Sequence, residues 1–83
     1  MILQEAIDAV LLRRDSYGDS TGHHALTARL WSVIVGKELT STDVAIMMIL
    51  DKVARQRNDP SYRDNYVDMA GYAECAATNA GVK

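Results

Sequence analysis

The sequence predicts an all-α protein in which four helices form a single domain over residues 1–83. Apolar residues recur at intervals of three and four, as at Leu3, Ile7 and Val10, and this spacing is typical of helices. Glycine, proline and short polar residues interrupt the pattern at three places and so separate four helical segments. A chain of 83 residues buries only about 60% of the surface that it exposes when unfolded, so we expect a thin core.

The first helix is predicted over residues 3–14. Its acidic residues precede Arg13 and Arg14, and this is the order that the helix dipole prefers. Residues 15–22 contain two glycines and several short polar side chains, which favour turns over regular structure. We therefore predict a loop over this segment.

The second helix is predicted over residues 23–35, and Gly36 is expected to end it because glycine readily adopts the left-handed conformation of a helix C-terminus. Four apolar residues recur at helical spacing within it. They are expected to form its buried face: Leu26, Leu30, Trp31 and Ile34.

The third helix is predicted over residues 41–57. The segment from Thr40 to Asp43 matches a capping box, and Pro60 lies just beyond the expected end. The fourth helix is expected to begin between Pro60 and Arg63 and to run to about Asn79.

The third helix carries apolar residues around most of its circumference, which is typical of a helix covered by more than one neighbour. The fourth helix is rich in alanine and also contains Gly71, and such small residues let another backbone approach closely. We therefore predict that these two helices form a tight antiparallel hairpin. We also expect a homo-oligomer that assembles through them.

The charge of the chain argues against a nucleic-acid polymer as its partner. The formal net charge is −2 and the isoelectric point is about 5.5, whereas general nucleic-acid binders carry a basic excess on one face. A small anionic ligand needs only a local basic patch and remains compatible with this composition. No apolar run approaches the roughly 20 residues that cross a bilayer, so we expect no membrane partner.

The composition also favours a cytoplasmic protein. Charged residues such as Glu5 and Asp8 interrupt the short apolar runs near the start, so no signal peptide is expected. The single cysteine, Cys75, cannot form an intramolecular disulfide.

A first candidate site lies on the predicted hairpin. Asp64, Asp68 and Tyr72 follow one another at intervals of four and therefore share one face of the fourth helix. Lys52 and Arg55 lie on the third helix. These residues form either an ion-pair network that ties the hairpin together or a ligand site in which the two cations meet a phosphate.

A second candidate site surrounds the predicted loop, where Arg13, Tyr17, Asp19 and His23 lie within a dozen residues. Cations, hydroxyls and an aromatic ring together suit a phosphate with a stacked base. The alternative is a solvated turn whose Tyr17 folds back over the core. His23 and His24 are adjacent and point in different directions on a helix, so we expect no zinc site there.

The chain resembles a family of small, uncharacterised phage and prophage proteins over most of its length, from about Ile7 to Ala77. The segments that carry this resemblance are residues 16–19, 30–32, 43–48, 52–55 and 64–72. More distantly, the last two helices are similar to the MazG-like all-α nucleotide pyrophosphohydrolases. In those enzymes, paired helices present acidic residues that bind magnesium over a nucleoside triphosphate.

The MazG-like enzymes carry Glu-Glu-x-x-Glu on one helix and Glu-x-x-Asp on the next. This chain offers Asp43 on its third helix and Asp64 and Asp68 on its fourth. These carboxylates are too few for a two-metal site, although one weakly bound magnesium ion is compatible with them when a substrate phosphate supplies further ligands. The resemblance therefore implies a nucleotide-related scaffold more than it implies hydrolysis.

The leading hypothesis is a phage protein that binds and sequesters a small nucleotide or a nucleotide-derived immune signal in the cytoplasm of an infected or lysogenic bacterial cell. It needs no catalytic residue, metal ligand or cofactor. The alternatives are a reduced MazG-like metal-dependent pyrophosphohydrolase and a protein-interaction module. The expected ligand-binding residues are Arg13, Tyr17, Asp19, His23, Lys52, Arg55, Asp64, Asp68 and Tyr72.

Overall fold

The computed structural model describes the backbone of all 83 residues and every side chain except that of Tyr17. It confirms the all-α class with four helices in one domain. The helices are α1 (Ile2–Tyr17), α2 (Ser20–Val35), α3 (Ser41–Asn58) and α4 (Arg63–Asn79). In the described part of the chain, no helix has both the length and the apolar character that crossing a bilayer requires.

The predicted loop over residues 15–22 is wrong, because only Gly18 and Asp19 separate α1 from α2. Gly18 ends α1 with a positive φ of 76°, a conformation that glycine adopts without steric cost. The Asp19 carboxylate accepts a hydrogen bond of 2.9 Å from the backbone N–H of Thr21 and so caps α2. The short polar residues that resemble a loop therefore form a helix cap and a first helical turn.

The predicted start of α3 is confirmed. The backbone N–H of Asp43 donates to the Thr40 hydroxyl at 3.1 Å, and the Asp43 carboxylate accepts from the Thr40 N–H at 2.8 Å. This reciprocal pair satisfies two backbone donors that the first turn of a helix leaves without partners. Gly36 ends α2 as expected, with a φ of 77°.

The antiparallel hairpin of α3 and α4 is confirmed, and these two helices form the most extensive contact between any pair in the structure. Lys52 on α3 pairs with Asp68 on α4. Toward the opposite end, the backbone carbonyl of Ser41 accepts a hydrogen bond from Asn79. The residue numbers rise along one helix as they fall along the other, so the helices run in opposite directions.

The other two helices also pack on this hairpin. α1 runs parallel to α4, since Glu5 near its start pairs with Arg63 and Arg14 near its end donates to Thr78 at 3.1 Å. α2 packs against α3 and also contacts α4. The expected homo-oligomer stays a prediction.

The core is built almost entirely from small side chains, so the helices pack closely but bury little apolar area per residue. The buried apolar residues are Ala6, Ala28, Val44, Ala45 and Ala76.

The predicted buried face of α2 is wrong. Leu26, Leu30 and Ile34 are exposed, and only Trp31 of the four expected residues is half-buried. The helix instead turns its other side, which carries His24 and Ala28, toward the hairpin. Ala28 permits close approach of the helices, and the buried His24 ring has a hydrogen-bond partner there, so this side can be buried without an unpaired polar group.

The capping box leads to a test of stability. We expect Thr40→Ala to lower the free energy of unfolding by about 0.5–2 kcal/mol, because the N–H of Asp43 loses its acceptor. Urea denaturation followed by circular dichroism measures this change. Thr40→Ser retains the hydroxyl and should restore most of the loss. Equal stability of Thr40→Ala and the parent chain would contradict the role of this cap.

Candidate functional site

A groove of about 710 Å³ lies between the end of α1, the start of α2 and the adjoining sides of α3 and α4. Its volume falls within the range of about 300–1,000 Å³ that is typical of small-molecule sites. Val10, Val67 and Gly71 contribute apolar surface to its wall. The groove therefore combines the size of a ligand site with a partly apolar lining.

The groove brings together residues from both sites that the sequence predicted. Six of the nine expected ligand-binding residues line it: Arg13, Asp19, His23, Lys52, Asp68 and Tyr72. Parts of both candidate sites therefore lie at one groove, because the start of α2 is hydrogen-bonded to the end of α4. The side chain of Tyr17, also expected here, lies outside the described residues.

Lys52 and Asp68, which both line the groove, form an ion pair. The Lys52 ammonium nitrogen lies 3.3 Å from a carboxylate oxygen of Asp68, and the two side chains are 16% and 42% exposed. A partly exposed pair of this kind contributes at most about 1 kcal/mol to stability. Lys52 is therefore positioned by Asp68 at the groove wall, while the exposed part of Asp68 stays available as an acceptor.

The predicted network of four charged residues is smaller than expected, because Arg55 and Asp64 lie outside the groove. The guanidinium of Arg55 donates to Asp51 on its own helix at 3.1 Å. Asp64 accepts a hydrogen bond of 3.3 Å from the hydroxyl of Tyr62. Each lies about one helical turn along its own helix from its groove-lining neighbour, and neither side chain lines the groove.

The end of α1 supplies two arginines with different partners. Arg14 donates to the Thr78 hydroxyl at 3.1 Å and lies 3.8 Å from Glu74, so α4 holds its guanidinium in place. Arg13 is exposed at the groove and makes no ion pair with any side chain that the structure describes. Arg13 therefore presents a guanidinium to an incoming anion without first breaking a salt bridge.

His24 is a groove residue that the sequence analysis did not select as a ligand contact. Its side chain is 7% exposed, and its Nδ1 lies 2.9 Å from the side-chain nitrogen of Asn79. Since an amide nitrogen can only donate, Nδ1 accepts and the ring proton is on Nε2. Burial lowers the pKa of His24, and the positive charges of His23 and Arg13 lower it further.

The spacing of residues in α2 did contain an indication that His24 faces the hairpin. His24 and Ala28 are four positions apart and therefore share one side of α2. The prediction of the buried face followed the larger apolar residues of α2, such as Leu26 and Leu30, and so chose the other side of the helix. A neutral, buried His24 at the groove can donate a hydrogen bond through Nε2–H but carries no fixed positive charge.

Asn79 organises the wall behind His24, although it was expected only as the end of the fourth helix. Its amide oxygen accepts hydrogen bonds from the hydroxyls of Ser20 at 2.7 Å and Thr21 at 3.3 Å. Its amide nitrogen donates to the Ser41 carbonyl at 3.0 Å as well as contacting His24. The start of α2 is therefore attached directly to the hairpin.

The groove carries a local positive excess within a chain whose formal net charge is −2. Arg13, Arg14 and Lys52 line it, against the two carboxylates of Asp19 and Asp68. The Asp19 carboxylate also serves as the cap of α2. This balance suits an anionic ligand that also offers hydroxyl or amine donors.

The three aspartates compared with the MazG-like pattern do not meet. Asp43 precedes Lys52 by nine positions on α3, which is about 14 Å along the helix axis, and its carboxylate is held in the capping box. Among the described residues, no group of three histidine, cysteine or acidic side chains is arranged to hold a metal ion.

Comparisons with known proteins identify the family. The family described as "Domain of unknown function (DUF6378)" matches residues 1–80, and the chain belongs to it. The Gene 55 protein of Mycobacterium phage L5 is 45% identical over 62 residues, which cover 74% of this chain and 40% of that protein. The Gene 55 protein of Mycobacterium phage D29 is 41% identical over 63 residues, which cover 76% and 42%.

The chain spans about two-fifths of the length of the curated relatives that it matches. No solved structure matches it. The predicted resemblance to a family of phage proteins is confirmed, and the more distant likeness to the MazG-like enzymes stays a prediction.

The neutral state of His24 predicts a pH dependence of stability. In the folded protein the pKa of His24 lies below its ordinary value of 6.5. As the pH falls, His24 therefore takes up a proton in the unfolded chain before it does so in the folded protein. Neutral His24 should make its full contribution to the free energy of unfolding above pH 6.5. We expect this contribution to decline as the pH falls through 6.5, with no further decline below the pKa of His24 in the folded protein. Urea denaturation at about pH 8 and about pH 5.5 measures the difference.

Two variants separate this effect from the titration of other groups. His24→Gln should reduce the loss of stability between the two pH values. His23→Gln should retain most of it, because burial, the largest cause of the lowered pKa of His24, is unchanged in that variant. If the parent chain and His24→Gln lose equal stability, His24 is not the group responsible.

Proposed function

We propose that this chain, as a member of the DUF6378 family, binds and sequesters a small nucleotide or nucleotide-derived signal in the cytoplasm of the host cell and releases it unchanged. The observation that carries the proposal is the groove of about 710 Å³ where Arg13 and Lys52 face a shared space beside Tyr72. The phage origin of both curated relatives supports the setting of an infected cell.

The proposed ligand makes two kinds of polar contact. Arg13 and Lys52 receive its phosphate, because a guanidinium without an ion-pair partner and a partly buried ammonium are both suited to an anion. The exposed part of the Asp68 carboxylate accepts a hydrogen bond from a sugar hydroxyl or a base amine. Phosphate alone would be repelled by Asp68, so this carboxylate favours a ligand with donors beside its anion.

The aromatic wall provides the remaining contact. Tyr72 is half-buried, and its ring centroid lies 6.3 Å from that of His24. In this proposal, the base packs against Tyr72, and His24 contributes a polar edge without the desolvation cost of a buried charge. A nucleotide supplies the required flat ring, hydroxyls and phosphate in one molecule.

Sequestration rather than hydrolysis is favoured by the placement of the acidic residues. Hydrolysis of a phosphoanhydride requires an activated water and stabilisation of the charge that develops on the phosphoryl oxygens. Arg13 and Lys52 supply part of the charge stabilisation. Asp68 is paired with Lys52, and Asp43 is held in the capping box, so neither is placed as the base that activates water.

Binding is tested with a panel of linear and cyclic nucleotides by thermal shift, followed by titration calorimetry of any nucleotide that stabilises the protein. A ligand at 100 times its dissociation constant should raise the free energy of unfolding by about 2.7 kcal/mol. Lys52→Met keeps the aliphatic stem and should weaken binding by about tenfold or more, because a charge-assisted hydrogen bond is lost.

Each groove variant has a matched control about one turn away on the same helix. Arg55→Met removes a cation from α3 outside the groove, and Asp64→Asn is the counterpart of Asp68→Asn on α4. The controls should retain the affinity of the parent chain. If Lys52→Met and Arg55→Met bind equally well, or if no nucleotide stabilises the protein, the proposal is wrong.

The fate of the ligand separates sequestration from catalysis. Each nucleotide that binds is incubated with the protein and magnesium or manganese, the protein is denatured by heat, and the released compound is analysed by chromatography. We expect recovery of the original nucleotide in full. Catalytic release of monophosphate and pyrophosphate that disappears in Asp68→Asn would instead favour the reduced MazG-like pyrophosphohydrolase.

A further inference from the structure

The outward side of α2 carries a continuous row of exposed, large apolar side chains. Leu26, Leu30, Val33 and Ile34 are 50%, 62%, 79% and 87% exposed. Their spacing of four, seven and eight positions places them on one stripe of the helix. The opposite side of α2 is the one that packs on the hairpin through His24 and Ala28. The stripe therefore has no partner within the described chain.

The whole chain exposes more surface than is typical of a monomer of its mass, and this excess supports a partner that covers part of it. The accessible surface is 5861 Å², whereas a folded monomer of 9.1 kDa typically exposes about 4,900 Å². The radius of gyration is 13.1 Å, against about 11.8 Å expected for a domain of this length. The excess of about 1,000 Å² is comparable with the roughly 800 Å² that each partner buries in a standard interface.

The stripe is suited to meeting a copy of itself. A two-fold interface brings the same surface from each subunit together, so a charge near the two-fold axis faces a like charge. The α2 stripe contains leucine, valine and isoleucine and no charged residue. Burial of these side chains would also add large apolar groups to a protein whose only large side chain below 2% exposure, among the described residues, is Val44.

We propose that the stripe formed by Leu26, Leu30, Val33 and Ile34 is the centre of a two-fold dimer interface in which α2 packs against α2 of a second copy of this chain. This surface differs from the α3 and α4 surface expected from the sequence. The outward residues of α3, Ile46, Leu50 and Val53, are 45%, 59% and 41% exposed. The two most exposed large apolar side chains within the described helices, Val33 and Ile34, lie on α2.

Light scattering of the full chain over a range of micromolar concentrations tests the dimer. The parent chain should have twice the mass of the 9.1 kDa monomer, and Leu30→Glu should reduce it to the monomer. Leu3→Glu is the matched control, because Leu3 on α1 is 59% exposed and Leu30 is 62% exposed. The control should remain dimeric, and circular dichroism should show unchanged helix content in both variants.

Disulfide trapping provides a second measurement that does not depend on the stability of a glutamate variant. In a Cys75→Ser background, Leu30→Cys and Val33→Cys place thiols near the expected two-fold axis, where paired residues approach closely enough to be bridged. Mild oxidation should give a covalent dimer with at least one of them and none with Leu3→Cys.

Three results would overturn the interface. A parent chain that stays at 9.1 kDa excludes a stable dimer and directs the search for a partner to another protein. A dimer that survives Leu30→Glu, or that dissociates with Leu3→Glu instead, places the contact elsewhere. Failure of both α2 cysteine variants to cross-link a chain that is dimeric in solution excludes α2 as its centre.

Discussion

The arrangement of the helices depends on the side-chain amide of Asn79. Its oxygen accepts from Ser20, and its nitrogen contacts the ring of His24 and the backbone carbonyl of Ser41. One residue at the end of α4 therefore joins α2 and α3 as well. Because buried polar groups are costly when unpaired, these partners must be present together, and they determine which side of α2 faces the hairpin.

This polar contact matters because the apolar core is small. Ala28 and Ala45 are buried and let the backbones approach closely, but an alanine contributes little hydrophobic free energy. Ion pairs and hydrogen bonds then carry the specificity that large interlocking side chains provide in other helical proteins. The same contacts position the groove, since Lys52 and Asp68 join α3 to α4 beside the residues that Asn79 holds.

Local signals made much of the fold predictable, and long-range packing explains the rest. Thr40 and Gly36 mark helix ends through interactions with their immediate neighbours, so both ends were predicted correctly. Asp19 was assigned to a loop because a capping aspartate and a turn aspartate have the same local composition. The buried side of α2 depends on Asn79, which is distant in the chain, and the helical spacing of apolar residues within α2 does not reveal this partner.

The same distinction applies to the groove. Arg13 and Lys52 were selected because their chemistry suits an anion, and the structure places both at the groove. Arg55 and Asp64 share that chemistry but lie outside, because the register between α3 and α4 decides which turn of each helix lines the groove. Residue type was therefore predictable at this site, whereas the position along each helix that lines the groove was not.

The parallel packing of α1 on α4 has a consequence for biosynthesis. α1 precedes α4 in the chain, yet its cross-helix contacts, such as Glu5 with Arg63 and Arg14 with Thr78, are 58 and 64 residues away. During translation α1 cannot make these contacts until the ribosome has released α4. We therefore expect the docking of α1 on α4 to be a late step in folding, because closing a loop of this length costs entropy before the contacts form.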